Sequence, residues 1–171
     1  MKSQIIVRSI LIIIVIPVLF LCQNTFAQSV KIYNPDADAK SDIATAVKQA
    51  SKEGKNVFLQ IGGNWCSWCI KYHNFVNADD EIKNYVEENF VVLKVNYDEK
   101  NKNEAVLANL GYPQRFGFPV FVILNAKGER IHTQNSAYLE KDGSYDRDRV
   151  LQFYKHWSPT ALNPATYKIV Q

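Results

Sequence analysis

Two cysteines that closely follow an apolar segment are the feature that most constrains how this chain folds. Residues 56–61 form a short apolar run that ends at Gly62-Gly63, and Cys66 and Cys69 come next. A run of this length ended by glycines is typical of a buried central strand. The cysteines then fall where the following helix begins, within reach of a disulfide. A Cys-x-x-Cys pair between a buried strand and a helix predicts a redox-active site.

The position of each cysteine predicts a different role in thiol chemistry. Cys66 falls at the helix N-terminus, where free backbone N–H groups and the positive end of the helix dipole stabilise a thiolate. A thiolate stabilised in this way has a lowered pKa and attacks disulfides readily. Cys69 lies one turn further along the helix and is expected to be shielded. We therefore expect Cys66 to be the attacking residue and Cys69 to resolve the mixed disulfide.

The same cysteine pair has two other interpretations. A purely structural disulfide would close so short a loop that it would stabilise the fold very little. A metal site would use Cys66, Cys69 and His73, but no fourth ligand lies nearby in the sequence, so a closed zinc site is unsupported. A copper(I) site with two thiolates stays open. The alternative function is therefore a copper(I)-handling or assembly module that does not turn over disulfides.

The first residues have the layout of a secretory signal peptide. Lys2 and Arg8 precede an apolar run of twelve residues, 10–21, which is followed by a small residue, Ala27. The run is short for a membrane span, which needs about 20 residues. We expect cleavage after Ala27 and a single domain over residues 28–171; an uncleaved membrane anchor is the alternative.

Cleavage at this position would explain the odd number of cysteines in the chain. It removes Cys22 and leaves one pair in a mature chain of 144 residues. It also removes Lys2 and Arg8, so the formal charge falls from +3 to +1, which argues against a nucleic-acid partner. Export, here expected to the periplasm, places the pair in an oxidising compartment.

Hydrophobic periodicity in the remaining sequence predicts a mixed β-sheet with helices on both faces. Ser41 is expected to cap the first helix and Gly54 to end it. Residues 125–128 form a predicted hairpin turn, and residues 134–146 a long polar loop rather than a substrate lid. Phe75, Phe90, Phe116, Phe121 and Phe153 are expected in the core. Helices are predicted over 42–53, 67–77, 79–88, 104–110 and 147–157, and strands over 56–61, 90–97, 119–124 and 129–133, with 30–33 either a strand or the tail of the export signal.

Four segments together resemble the thioredoxin-fold family. They are Val57–Ile61, Trp65–Cys69, Lys94–Asp98 and Gly117–Pro119, in the family's order and at nearly its spacing, over about residues 40–158. The run 79–95 is similar to an exported branch that includes the C-terminal domain of the bacterial membrane thiol:disulfide interchange protein. The resemblance implies an α/β thioredoxin fold with a central mixed sheet.

The resemblance also implies a function and a set of site residues. Pro119 would be cis and lie against the cysteines, Phe118 would offer backbone groups to an extended substrate segment, and Trp65 would flank the nucleophile. The implied activity is thiol–disulfide exchange with disulfide-containing proteins, in the reducing direction. Electrons would come from a membrane or exported donor, and neither an organic cofactor nor a metal would be needed.

The sequence departs from the family pattern at two positions. Gln60 stands where many thioredoxins carry a buried acid that accepts the proton of the resolving thiol, and Gln60 does not titrate. Lys94 either packs its stem near the end of its strand or serves beside Gln60. Between the cysteines, Ser67 is followed by the bulky Trp68 rather than by the thioredoxin proline. Since these two residues help to set the potential in the family, the sequence leaves the potential open.

Overall fold

A four-stranded mixed sheet in the order β2–β1–β3–β4 forms the centre of the protein. The computed structural model describes residues 31–167. Strand β2 runs parallel to β1, whereas β3 is antiparallel to both β1 and β4. Every residue of the inner strand β1 is buried, as expected for a strand paired on both edges. The strands are β1 (Asn56–Gly62), β2 (Phe90–Asn96), β3 (Val120–Leu124) and β4 (Arg130–Asn135).

Helices cover both faces of this sheet, which confirms the predicted architecture. Side chains alternate along β1, so Phe58 points into one core and Leu59 into the other. The core around Phe58 is closed by α2, α3 and α5, and the core around Leu59 by α1 and α4. The helices are α1 (Ala39–Glu53), α2 (Ser67–Ala78), α3 (Asp80–Asn89), α4 (Glu104–Asn109) and α5 (Arg147–His156).

The predicted start of α1 was wrong by three residues. Asp38, not Ser41, caps the helix, and its carboxylate accepts from the backbone N–H groups of Lys40 and Ser41 at 3.0 and 3.1 Å. A capping side chain of this kind stabilises a helix by about 1 kcal/mol. Gly54 ends the helix in the left-handed conformation, as predicted.

The structure differs from three further expectations: the strand alternative at 30–33, the loop 134–146 and the core position of Phe116. Residues 31–33 form no strand, and Val30 lies outside the described residues, as does the predicted signal peptide. The predicted loop 134–146 is structured: β4 extends to Asn135, a 3-10 turn covers Ser136–Leu139, and β5 (Glu140–Lys141) pairs with β6 (Ser144–Tyr145). Tyr145 is buried there because it packs on α2. Phe116 is 39% exposed rather than in the core, since it sits in an exposed 3-10 turn.

Within residues 31–167, no helix has the length and apolar character that crossing a membrane requires.

Candidate active site

Cys66 and Cys69 form a disulfide at the start of α2, with their Cα atoms 5.2 Å apart. Cys66 is 5% exposed and Cys69 is fully buried. Both cysteines therefore lie where the sequence predicts them, and Cys66 is the more accessible of the two. A thiol approaching from solvent would reach the Cys66 sulfur first.

Cys66 is the N-cap residue of α2. Its backbone is extended, and its sulfur accepts a hydrogen bond from the backbone N–H of Cys69 at 3.1 Å. The first backbone N–H groups of a helix have no partner within the helix, and they give this end a partial positive charge. This environment favours the thiolate form of Cys66 once the disulfide is opened.

An aromatic group flanks the disulfide on its exposed side. Trp65 is 58% exposed, and its indole N–H donates to the backbone oxygen of Tyr97 at 2.7 Å. The ring of Phe118 meets Trp65 edge-on at 5.5 Å and lies 4.7 Å from Tyr97. Phe118 also packs against the cysteine pair, and the Phe118–Pro119 peptide bond is cis, as the resemblance implies. The chain therefore brings Trp65, Phe118 and Pro119 to one side of the site.

Gly62 and Gly63 let the end of β1 pass directly beneath the cysteines. A Cβ at Gly62 would lie 2.4 Å from the Cys69 sulfur, far inside van der Waals contact. A Cβ at Gly63 would lie 2.3 Å from the indole nitrogen of Trp65 and 2.8 Å from the backbone oxygen of Tyr97. The two glycines are therefore required by close packing, not only as the end of a strand.

Gln60 lies beneath Cys69 and is completely buried. Its amide nitrogen donates to the backbone oxygen of Cys69 at 3.0 Å and to the hydroxyl of Tyr33 at 2.9 Å. Its amide oxygen accepts from the ammonium group of Lys94 at 2.5 Å. The position that many thioredoxins give to an acid thus holds a neutral, fully hydrogen-bonded amide.

Lys94 approaches Gln60 from β2, where the two residues are direct neighbours in the parallel pair. Burial lowers the pKa of Lys94 to about 8. A crevice of about 210 Å³ between α2, α3 and the sheet reaches both Lys94 and Gln60. Exposed Asn77 and Glu87 also line this crevice, which gives protons a way in from solvent.

Trp68 packs both on the β5–β6 hairpin and against the buried cluster of Tyr33, Cys66 and Cys69. Its ring meets that of Tyr145 edge-on at 5.5 Å, and the Tyr145 hydroxyl donates to the backbone oxygen of Trp68 at 3.2 Å. The ammonium group of Lys71 lies 4.2 Å from the Trp68 ring and donates to the backbone oxygen of Gly143. The hairpin therefore fixes the residue between the cysteines, while Ser67 is exposed.

His73 contacts Asn77, not the cysteines. Its Nδ1 lies 3.1 Å from the Asn77 amide nitrogen, and burial, followed by the charge of Lys94, lowers its pKa. In the part of the chain that the structure describes, no group of three or more His, Cys, Asp or Glu side chains is arranged to hold a metal ion.

Comparison with known proteins identifies the family of this chain. The Thioredoxin-like family model matches residues 38–126. The chain belongs to the Thioredoxin-like family. The match runs from the cap of α1 to the β3–β4 turn, and so includes the cysteine pair and the cis-proline segment.

Individual known proteins resemble this chain in sequence or in fold. The chain is 26% identical over 97 residues to "Disulfide bond reductase DsbH" of Chlamydia pneumoniae; the match covers 52% of this chain and 57% of that protein. The fold is similar to that of a disulphide isomerase from Xylella fastidiosa Temecula1, with a TM-score of 0.66, 21% identity and coverage of 74% and 95% of the two chains. It is also similar to the reduced DsbD C-terminal domain of Neisseria meningitidis, with a TM-score of 0.51, 21% identity and coverage of 69% and 96%.

Tyr33 is the site residue that sequence reasoning missed in this Thioredoxin-like chain. It is 3% exposed and forms a buried cluster with Cys66 and Cys69. Asn64 holds it in place: its side-chain oxygen accepts from the backbone N–H groups of Ile32 and Tyr33, and its nitrogen donates to the Tyr33 backbone oxygen. The sequence feature that could have pointed to Tyr33 is Asn64, in the loop just before the cysteines.

Proposed function

We propose that this chain is an exported thiol–disulfide oxidoreductase that reduces disulfides in partner proteins. The observation that carries the proposal is the Cys66–Cys69 pair at the N-terminus of α2, packed against Phe118 at the cis Phe118–Pro119 bond. This arrangement places the sulfur of the more exposed cysteine, Cys66, in an activating position and the shielded Cys69 sulfur within bonding distance of it.

The proposed reaction begins with the reduced pair. The Cys66 thiolate attacks one sulfur of a substrate disulfide, a Cys66–substrate disulfide forms, and the other substrate sulfur leaves as a thiolate. Cys69, once deprotonated, attacks the Cys66 sulfur, which releases the second substrate thiolate and closes the Cys66–Cys69 disulfide. Solvent supplies protons to the released thiolates. Two electrons from a donor dithiol restore the reduced pair.

Trp65, Phe118 and Pro119 form the proposed substrate-binding surface. An extended substrate segment would lie along the backbone of Phe118, which precedes β3 and packs against the buried cluster of Tyr33, Cys66 and Cys69. Trp65 offers an exposed aromatic surface on the same side. Large, rigid aromatic side chains suit contacts with varied apolar partners. Disulfide-containing proteins are therefore the proposed substrates.

Sequence relationships support the direction of electron flow and the place of action. The Chlamydia relative is named a disulfide bond reductase, which favours the reducing direction. The sequence of residues 1–27 favours export to the periplasm, and intact-mass measurement of the secreted protein would test cleavage after Ala27. The likeness of residues 79–95 to the interchange protein favours a membrane-bound or exported electron donor.

A trapping experiment tests the proposed turnover. In Cys69→Ala, mixed disulfides on Cys66 cannot be resolved by Cys69 and should accumulate with disulfide-bonded proteins such as insulin. The double variant Cys66→Ala/Cys69→Ala is the matched control and should trap nothing. If Cys69→Ala also traps nothing while the wild-type protein binds copper(I) tightly, the oxidoreductase proposal is wrong and copper handling replaces it.

Equilibration with glutathione tests the direction. A reductant should have a potential nearer that of thioredoxin, about −270 mV, than that of DsbA, about −120 mV. A potential at or above about −180 mV, the value of protein disulfide isomerase, would contradict the reducing direction while leaving thiol–disulfide exchange intact.

A further inference from the structure

We propose that the Tyr33 hydroxyl donates a hydrogen bond to the Cys69 sulfur when that sulfur is a thiolate, and thereby lowers the pKa of the resolving thiol. This inference rests on the proposed function only in giving the thiolate a role in turnover. It assigns a hydrogen-bond donor to the Cys69 sulfur. The donor lies in a segment that precedes α1 and is outside the matched region 38–126.

The positions of three buried groups support the contact. The Tyr33 hydroxyl and the Cys69 sulfur lie 2.9 and 2.4 Å, respectively, from the position that a Cβ at Gly62 would take. The hydroxyl oxygen already accepts from the Gln60 amide nitrogen at 2.9 Å. Since that bond uses the oxygen as an acceptor, the hydroxyl proton remains to be donated, and the Cys69 sulfur lies in the same buried cluster and can accept it.

Hydrogen bonds between the side chains of two asparagines and the backbone hold Tyr33 in this position. Asn64 makes three hydrogen bonds to residues 32 and 33, at 2.8 to 3.0 Å. Asn101 donates to the backbone oxygens of Pro35 and Ala37, at 3.1 and 3.3 Å. Residues 32–37, which we call the strap, are thus tied to loops at both ends. A donor fixed in this way loses little conformational entropy when it forms a hydrogen bond.

The contact would act when the disulfide is opened. A donor thiolate attacks the Cys66 sulfur, the Cys66–Cys69 bond breaks, and its electron pair stays on Cys69, which leaves as a thiolate. Sulfurs with a lower pKa leave faster, so a hydrogen bond to Cys69 speeds this step. The same bond raises the fraction of Cys69 thiolate available to resolve a mixed disulfide. Burial raises the pKa of Tyr33, so its proton is shared but not transferred.

Other titratable or charged groups lie on the elements around Cys69. Lys94 donates to Gln60 from β2, and burial, followed by the charge of Tyr145 on β6, raises the pKa of Tyr33. Cys66 lies at the start of the helix that carries Cys69 and His73. A Tyr33→Phe substitution leaves all of these in place. A change in the pKa of Cys69 in that variant therefore reports the loss of the hydroxyl together with its bond from Gln60.

The experiment measures the pKa of Cys69 in the full chain carrying Cys22→Ser and Cys66→Ser, so that Cys69 is the only thiol. The pH dependence of its alkylation by iodoacetamide, followed by mass spectrometry, gives the pKa. Adding Tyr33→Phe should raise the pKa by about one unit, a tenfold loss of thiolate at fixed pH, as expected for a hydrogen bond to a charged group. Tyr154→Phe removes another buried hydroxyl, hydrogen-bonded to Tyr72, and should leave the pKa unchanged.

In the protein with both active-site cysteines, Tyr33→Phe should also slow reduction of the disulfide by dithiothreitol several-fold. An unchanged Cys69 pKa, or an equal change in Tyr154→Phe, overturns the proposal. If Tyr33→Phe does not fold, Asn64→Ala, which frees the strap, must raise the Cys69 pKa or the proposal is also overturned. The titration needs no substrate. A shifted pKa without disulfide turnover would therefore refute only the proposed function, and turnover with an unshifted pKa only this inference.

Discussion

The side-chain oxygen of Gln60 lies 2.5 Å from the ammonium nitrogen of Lys94, where parallel strands β1 and β2 place the two residues side by side. Gln60 links this pair to Cys69, because its amide nitrogen donates to the Cys69 backbone oxygen. A neutral amide and a lysine of lowered pKa therefore occupy the place where proton transfer to and from the resolving thiol is expected.

Lys94 should make stability depend on pH in the alkaline range. Burial lowers its pKa from 10.5 to about 8, so between these values the folded protein binds fewer protons than the unfolded chain. Stability contributed by this residue therefore rises with pH across that window, and the buried ammonium group opposes folding in full below it. From pH 8 to 10.5, the free energy of unfolding of the wild type should rise relative to Lys94→Met by on the order of 2 kcal/mol.

Urea denaturation of both proteins across this pH range measures the difference. Lys83→Met is the matched control, because Lys83 lines the same crevice without contacting Gln60. If the difference in free energy of unfolding between the wild type and Lys94→Met does not change with pH, Lys94 does not titrate in this range.

Gln60→Glu should speed resolution of the mixed disulfide. The substitution keeps the size of the side chain, introduces a carboxylate next to Lys94, and supplies a proton acceptor beneath Cys69. We expect the rate at which Cys69 displaces a substrate thiol at pH 7 to rise about tenfold, measured by stopped-flow. Gln60→Met, which has similar volume but no acceptor for a proton, should give no gain. Equal rates in Gln60→Glu and the wild type would show that the acceptor does not limit resolution.

Gly62→Ala should disrupt the site by steric conflict with Cys69. The added methyl group would lie 2.4 Å from the sulfur, and the central strand β1 has little room to move. We expect a loss of about 2–3 kcal/mol in the free energy of unfolding under reducing conditions. In a Cys69→Ala background the loss should be smaller, because the sulfur is gone. Additive effects in this double-mutant cycle would refute the contact.

Trp65→Ala should weaken substrate binding more than it alters the chemistry of the cysteines. The ring is 58% exposed, so its removal should change stability by less than about 1 kcal/mol. We expect KM for a disulfide-bonded protein to rise several-fold, with kcat less affected. Tyr167→Ala removes a ring that is 63% exposed near Ala161, after α5, and should leave KM unchanged. A fall confined to kcat would exclude Trp65 from the binding surface.

Local sequence signals were sufficient for the framework of the fold and for the cysteine pair. The apolar run of β1, the glycines that end it and the Cys-x-x-Cys spacing identify a strand, a turn and a helix start within fourteen consecutive residues, 56–69. The cap of α1 was misplaced because Asp38 and Ser41 are both good capping residues, and only the backbone conformation selects between them.

The surroundings of the resolving cysteine depended on tertiary structure. The contact from Gln60 to Tyr33 spans 27 residues and the one from Lys94 to Gln60 spans 34, and neither pair belongs to a periodic pattern. Likewise, the sequence of the hairpin that buries Tyr145 predicts a polar loop, because each strand of the hairpin has only two residues and shows no alternating pattern. The sequence by itself determined which two sulfurs pair and on which element they lie, because those signals are local. Only the packing of the strap, β1 and β2 decided which groups surround Cys69, because burial and hydrogen bonding are properties of the assembled chain.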